Sequence, residues 1–199
     1  MNVYFGSKTK AEETDEDSDD ESKIYRENNR IYFYSEIDRN STQTLIKMIR
    51  EAEQYSFVTA FQLGLESIPI YIHISSLGGY VYDALSVVDA IKRCRVPIYS
   101  VVEGSVASAG TFISMVCQKR FICPNAYMLI HQLSGEVGGK MGEISDEFAN
   151  LTELMEVMKQ LYTDHSKLSQ RLLGRLLKHD LYLNAKKALK YGLADELYV

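Results

Sequence analysis

A serine and a histidine in this 199-residue chain have the surroundings of a nucleophile and its base. Ser108 lies within Gly104–Thr111, where small residues allow a sharp turn from strand to helix that lifts a hydroxyl out of the packing. His131 closes the apolar run 126–130, so a sheet would hold its ring rigidly. A serine hydroxyl is a weak nucleophile until a neutral imidazole takes its proton. The pair indicates acyl transfer, although a serine among small residues is also an ordinary helix start.

A pair of glycines follows another apolar strand. Gly78 and Gly79 come directly after the run 70–77, whose first five residues alternate as a strand. Adjacent glycines between a strand and a helix can present bare N–H groups to an anion, as an oxyanion hole requires. The same pair can also be a tight turn and nothing more. The residues alone leave both interpretations open.

Four sequence blocks, in this order and at these spacings, resemble the ClpP peptidases, the proteolytic subunits of ATP-dependent Clp proteases. The resemblance covers about residues 24–199, and four ordered blocks are far more specific than one. The blocks are SSLGG, EGSVASAGTFI, YMLIHQ and NAKKALKYGLADEL.

The resemblance implies a role for each candidate site residue. Ser108 is expected to be the nucleophile, His131 its base and Asp180 the acid that orients the base. The oxyanion hole is expected to be the backbone N–H groups of Gly79 and Ala109. Such an aspartate fixes the imidazole tautomer and stabilises the imidazolium that forms.

Two segments are expected to flank an extended substrate, which would add as a strand beside them. One contains Gly78, and the other contains Gln132, Leu133 and Gly135. Leucine stands at Leu77 and Leu133 where the family usually has proline, so both segments lose a rigid ring. We expect looser preorganisation of these turns.

Other interpretations of the polar residues stay open. Without the resemblance, Asp180 would be interpreted as a surface or capping aspartate. His73 is a rival base beside the glycine turn, but strand alternation favours a place on a surface or subunit interface. His165 and His179 lie in charge-rich helical contexts and are expected to be solvated. With four histidines and three cysteines, no spacing matches a metal site.

The acidic charge is concentrated at one end of the chain. Residues 1–23 hold eight acidic residues and three lysines, which account for the formal net charge of −5. We expect this segment to be disordered and without a specific partner, although the resemblance also allows an axial loop at a pore. Residues 24–199 are then expected to form one domain. A neutral core and an acidic arm argue against nucleic acid as a partner.

Composition also bounds the compartment. No apolar run reaches the length of a transmembrane helix, and no signal peptide is seen, so a soluble protein without membrane contact is expected. An odd number of cysteines in apolar surroundings favours free thiols in a reducing compartment. We predict a cytoplasmic protein, or one that lies in an organelle or in the cytoplasm of a host.

Strand-forming segments alternate with helical patterns. The predicted strands are 30–34, 70–74, 98–102, 120–123 and 127–130. Helical spacing runs from Ser41 through Ala52, is ambiguous over 53–66, and returns over 82–92 and 108–117. This alternation predicts an α/β fold with a mostly parallel sheet. The resemblance implies the ClpP/crotonase-like spiral of repeated ββα units.

A long helix is predicted from about Glu143 to Ser169. Its apolar positions recur every three or four residues, which is typical of a core-facing stripe: Ile144, Phe148, Leu151, Met155, Met158 and Tyr162. A helix this long reaches past a small domain's own core, so its far end is expected to meet another subunit. The resemblance identifies it as the handle helix.

The resemblance further implies a homo-oligomer of two stacked seven-membered rings that encloses the active sites. Its partners would be unfolded polypeptides and an AAA+ unfoldase of the ClpX, ClpA or ClpC type, which spends the ATP. This chain has no GxxxxGK[ST] loop, and no cofactor is expected in it. The alternatives are a peptidase of the same fold with another task, such as viral head maturation, a non-catalytic ring subunit, or an acyl-CoA-binding member of the crotonase-like fold.

Overall fold

The structure is a computed structural model and describes residues 23–199. The acidic segment before Lys23, with its expected disorder and axial loop, lies outside these residues. Within them the strands are β1 Ile24–Glu27, β2 Arg30–Phe33, β3 Ile70–Ser76, β4 Ile98–Ala107, β5 Lys119–Ile122, β6 Tyr127–Leu129, β7 Leu183–Asn184 and β8 Glu196–Leu197. The helices are α1 Arg39–Leu63, α2 Val81–Arg93, α3 Gly110–Met115, α4 Met141–Asp164, α5 Gln170–Leu176 and α6 Ala185–Tyr191.

The strands form one mixed, mostly parallel sheet. Its main path runs β1-β2-β3-β4-β5-β8, and β6 and β7 continue from β4. The pairings are parallel except β1 with β2 and β6 with β7. Helices connect the parallel strands, as parallel pairing requires. The predicted α/β class with a mostly parallel sheet is confirmed.

Strand β4 changes partner along its length. Its first half, up to Val102, pairs with β5, whereas Ser105–Ala107 pairs with β6. The register against β3 shifts between these halves, and Gly104 has a φ of 54° there. A bulge of this kind bends a strand and changes its direction. The bend turns β4 away from β5 and towards β6. Ser108, the next residue after β4, therefore lies beside β6.

Helix α1 is longer than the sequence pattern indicated. Asp38 and Ser41 form a reciprocal capping box at its start, and Gly64, with a φ of 64°, closes it. The ambiguous stretch 53–66 is therefore helix up to Leu63. Its packed side consists largely of small residues and aliphatic ones, and the core it covers also takes in α2 and the buried side of β3.

Helix α4 differs from its prediction in extent and in burial. It ends at Asp164, five residues before the predicted end at Ser169, and α5 begins after a short turn. Its N-terminal half is not core: 71% of Phe148 is exposed, and the first buried residue is Leu154. The apolar repeat is continuous, but this subunit covers only the second half.

Among residues 23–199, no helix is long and apolar enough to cross a membrane. The three cysteines of this region, Cys94, Cys117 and Cys123, are free thiols.

Candidate active site

Ser108 has a backbone conformation that non-glycine residues rarely adopt. Its φ is 56°, in the left-handed region, which costs about 1–3 kcal/mol and needs support from its surroundings. The Ser108 N–H donates to the carbonyl of Leu129 at 2.8 Å, and the Ser108 carbonyl accepts from the N–H of Thr111 at 3.0 Å. Within residues 23–199, the buried Ser108 Oγ has no hydrogen-bond partner. The turn thus holds the hydroxyl in place without using its proton.

Gly78 packs directly against this turn. A Cβ at Gly78 would lie 2.7 Å from Ser108 Cβ and 2.9 Å from the carbonyl oxygen of Ala107, and the φ of Gly78 is 101°. Only glycine fits there. The same hypothetical Cβ would lie 3.2 Å from the nitrogen of Ala109. The two proposed oxyanion segments therefore lie side by side.

Gly79 is fixed by the segment before α1. Ile37 donates its N–H to the carbonyl of Gly78 at 2.7 Å, and its own carbonyl accepts from the N–H of Tyr80 at 2.8 Å. A Cβ on Gly79 would come within 2.1 Å of that Ile37 oxygen. Among residues 23–199, no backbone carbonyl accepts a hydrogen bond from the N–H group of Gly79 or of Ala109. Two such donors beside a serine hydroxyl suit a developing oxyanion.

His131 lies two residues beyond Leu129, the residue whose carbonyl binds the Ser108 N–H. The predicted strand ends at Leu129, one residue earlier than expected. The next residue after His131, Gln132, donates its N–H to the carbonyl of Leu177 at 2.8 Å, which ties this segment to the turn after α5. Backbone hydrogen bonds on both sides therefore fix the His131 segment beside the Ser108 turn, and no hydrogen bond joins the Ser108 hydroxyl to the imidazole.

Asp180 lies on the turn after α5 and faces the imidazole. Its Oδ1 is 3.4 Å from His131 Nδ1, longer than a good hydrogen bond, and 77% of its side chain is exposed. Burial lowers the pKa of His131, and the charge of Asp180 partly offsets that effect. The imidazole is therefore neutral near pH 7 and able to accept a proton.

The predicted substrate-flanking residues of the second segment line a cavity. It has a volume of about 490 Å³ and includes Gln132, Leu133 and Gly135 in its wall. Its apolar wall also contains Phe148, Leu151, Met155 and Leu177. Its polar residues include Glu156, Lys159 and Lys178. Apolar walls with a few polar groups are typical of side-chain binding pockets.

His73 is not on the surface as predicted. It is 4% exposed, and both ring nitrogens have partners: Nδ1 lies 2.8 Å from Glu103 Oε1, and Nε2 lies 3.0 Å from Arg30 Nη1. Strand alternation placed it correctly opposite Ile72 and Ile74, but neighbouring side chains cover that face. Since Arg30 can only donate, Nε2 accepts from it, and Nδ1 is the nitrogen that faces Glu103. A base held in this way is not available to Ser108.

His165, expected to be solvated, is partly buried, and this burial lowers its pKa.

Thr111 and Tyr162 also belong to the site, and sequence reasoning did not assign them to it. The Thr111 hydroxyl donates to the Ser108 carbonyl at 2.6 Å and lies 2.7 Å from the Tyr162 hydroxyl. A threonine three residues after a turn serine is a recognisable signal for such a back-bond. No sequence pattern signals the partner 51 residues away.

The described residues contain no group of three or more histidine, cysteine, aspartate or glutamate side chains that could hold a metal ion.

The fold and site define an α/β protein with a strained serine at a strand-to-helix turn and paired glycines against it. The family model described as Clp protease matches residues 12–199. The chain belongs to this family. It is 26% identical over 199 residues to "ATP-dependent Clp protease proteolytic subunit 2" of Treponema denticola, covering 98% of this chain and 95% of that protein. It is 33% identical over 132 residues to the proteolytic subunit of Streptococcus mutans, covering 64% and 67%.

A solved structure is similar over most of the chain. A mutant of ClpP1 from Listeria monocytogenes superposes with a TM-score of 0.71 at 28% identity, covering 83% of this chain and 88% of that one. The ClpP resemblance carried by the four sequence blocks is confirmed.

Proposed function

We propose that this chain is the serine endopeptidase subunit of a Clp-type protease, with Ser108, His131 and Asp180 as its catalytic residues. His131 takes the Ser108 proton as the oxygen attacks a peptide carbonyl. The tetrahedral oxyanion accepts from the N–H groups of Gly79 and Ala109. The imidazolium then protonates the leaving amine, and water hydrolyses the acyl-enzyme by the same steps in reverse order.

The observation that carries this proposal is the contact between Gly78 and the strained Ser108. It brings the Gly78-Gly79 turn next to Ser108 and to the Ala109 nitrogen, and among residues 23–199 the Ser108 hydroxyl has no hydrogen-bond partner. The neutral imidazole of His131 lies two residues after Leu129, the strand residue whose carbonyl binds the Ser108 N–H. The 3.4 Å separation of His131 and Asp180 is compatible with this role, because catalytic hydrogen bonds often tighten only when substrate binds.

The substrate is proposed to be an unfolded polypeptide, cut into short peptides. An extended chain would lie between the Gly78 segment and the Gln132–Gly135 segment and bind through backbone hydrogen bonds. One side chain would enter the cavity beside Gln132. Its leucine and methionine wall favours an apolar residue there.

The assembly is proposed to be a closed homo-oligomer of two stacked seven-membered rings, fed by an AAA+ unfoldase that uses ATP, in the cytoplasm. The exposed N-terminal half of α4 supports subunit contacts, since this subunit leaves Phe148 and Met141 uncovered. The chain itself would need no cofactor. The face of the sheet around Tyr71 carries Arg30 4.6 Å above the Tyr71 ring, so a docking loop would meet a cation there as well as aromatic rings.

The test is hydrolysis of a short fluorogenic peptide by the wild type and by Ser108→Ala, with particle mass measured on the same samples. Loss of the nucleophile should lower turnover on the order of 10⁴-fold with assembly intact. Ser86→Ala is a matched control, because this exposed hydroxyl donates to the Tyr82 carbonyl of its own helix. An organophosphonate or β-lactone should label Ser108. An assembled wild type that is neither active nor labelled would refute the proposal.

A further inference from the structure

A chain of hydrogen bonds links the core to the backbone of the nucleophile. The Ser108 carbonyl accepts from both the N–H and the hydroxyl of Thr111, at 3.0 and 2.6 Å. Because the Thr111 hydroxyl gives its single proton to that carbonyl, it must accept from the Tyr162 hydroxyl at 2.7 Å. The direction is therefore fixed, from Tyr162 through Thr111 to Ser108.

Both links of this chain are buried. Thr111 and Tyr162 have no exposed surface, and the Tyr162 ring packs edge-on against Phe112 with ring centroids 5.5 Å apart. Burial raises the pKa of Tyr162, so its hydroxyl keeps its proton and can donate at neutral pH. Water cannot replace a bond in such a place, and the geometry is held by packing on every side.

The peptide group between Ser108 and Ala109 connects these hydrogen bonds to the proposed oxyanion hole. The Ser108 carbonyl and the Ala109 N–H belong to one planar trans peptide group, so they point in opposite directions. Fixing the carbonyl towards Thr111 therefore fixes the direction of the Ala109 N–H on the other side, and a Cβ on Gly78 would lie 3.2 Å from that nitrogen. Without the two hydroxyls, only the Thr111 N–H would hold the plane.

We propose that Tyr162 and Thr111 are positioning residues that aim the Ala109 N–H at the oxyanion. This inference rests on the proposed function and adds to it residues that touch neither substrate nor reacting atoms. An oxyanion donor acts in the transition state and much less in the ground state. A change in the direction of the Ala109 N–H should therefore lower kcat and leave KM nearly unchanged.

The test compares Tyr162→Phe and Thr111→Val with Thr111→Ser. Tyr162→Phe removes one oxygen and keeps the ring against Phe112, and Thr111→Val keeps the shape and removes the hydroxyl. We expect kcat to fall by roughly 10-fold in both, with KM within about 2-fold, because loss of one whole donor costs about 10²–10³. Thr111→Ser restores the hydroxyl and should keep kcat within about 3-fold of the wild type, since only a methyl group is lost.

The control is Thr163→Val, which removes a hydroxyl next to Tyr162 that donates to the Gln160 carbonyl of its own helix. It should leave kcat unchanged. Particle mass, thermal unfolding and the labelling rate of Ser108 are measured on every variant. Equal kcat in Tyr162→Phe and the wild type, or a loss that merely follows the unfolded fraction, would overturn this inference. An inactive wild type would overturn the proposed function as well, so the two failures are distinguishable.

Discussion

At the scale of single residues, the charge state of His131 decides whether the site can work. Burial disfavours the imidazolium and lowers the pKa of His131, whereas the carboxylate of Asp180 favours it. Desolvation is the larger effect, so the ring is neutral at physiological pH. Asp180 is mostly exposed, so solvent weakens the effect of its charge on the pKa of His131.

Asp180→Asn should move the acid limb of the kcat/KM profile to lower pH. The removed negative charge was raising the pKa of His131, so the pKa falls further and the base becomes neutral at a lower pH. Plateau kcat should also fall, on the order of 10²-fold, because the imidazolium of the transition state loses its partner. The measurement is peptidase rate against pH.

Asp89→Asn, an exposed change on α2, is the control and should leave the profile unchanged. If the acid limb of Asp180→Asn coincided with that of the wild type, the assigned partnership of Asp180 with His131 would be wrong.

At the scale of elements, the glycine turn between β3 and α2 places one strand end against another. Ile37 binds this turn on one side through two backbone hydrogen bonds, and Ser108 abuts it on the other. The turn is therefore clamped between the start of α1 and the end of β4. Its conformation is available only to glycine at both positions.

Gly79→Ala should abolish activity and lower the free energy of unfolding by about 3 kcal/mol, within the range for left-handed strain combined with a backbone clash. The added Cβ would lie 2.1 Å from the Ile37 oxygen, which cannot move without breaking its bond to Tyr80. Urea unfolding and peptidase rate give the two quantities.

Gly64→Ala separates strain from the clash. Gly64 also has a positive φ, 64°, but nothing lies within 4 Å of its hypothetical Cβ. It should cost only about 1 kcal/mol and leave turnover intact. Equal losses of stability in the two variants would show that the close approach to Ile37 does not matter.

In the whole molecule, α4 has a buried half, which is linked to the Ser108 turn by the bond between Tyr162 and Thr111, and an exposed half that this subunit leaves uncovered. Leu154, Met158 and Tyr162 are core residues, whereas Met141 and Phe148 are exposed by 82% and 71%. Large apolar side chains exposed in a row are characteristic of a surface that another chain covers.

Phe148→Asp should dissociate the assembly, because a carboxylate would be buried without a partner in the interface. The expected result is a shift of particle mass to smaller species, with the circular dichroism of the folded subunit retained. Ser86→Asp adds the same charge on the exposed side of α2 and should keep the wild-type mass. An undiminished particle in Phe148→Asp would place the subunit contacts elsewhere.

The local features of the candidate site could be predicted from residue types and spacing. Small residues around Ser108 and the pair Gly78-Gly79 indicate sharp turns, because backbone conformations with positive φ and close approaches restrict residue type at the position itself. The order of four blocks indicated the family, and the alternation of strands and helices predicted the parallel α/β class. Ser108, His131 and Asp180 were all named in this way, and their catalytic roles stay predictions.

Features that depend on distant neighbours could not be predicted from the sequence. His73 has the alternation of a surface residue, yet Arg30 and Glu103 enclose it. Half of the apolar stripe on α4 is core and half is not, although periodicity alone makes them alike. The bond from Tyr162 to Thr111 joins residues 51 positions apart. Periodicity reports which side of an element is apolar, but what covers that side depends on contacts between segments far apart in the chain.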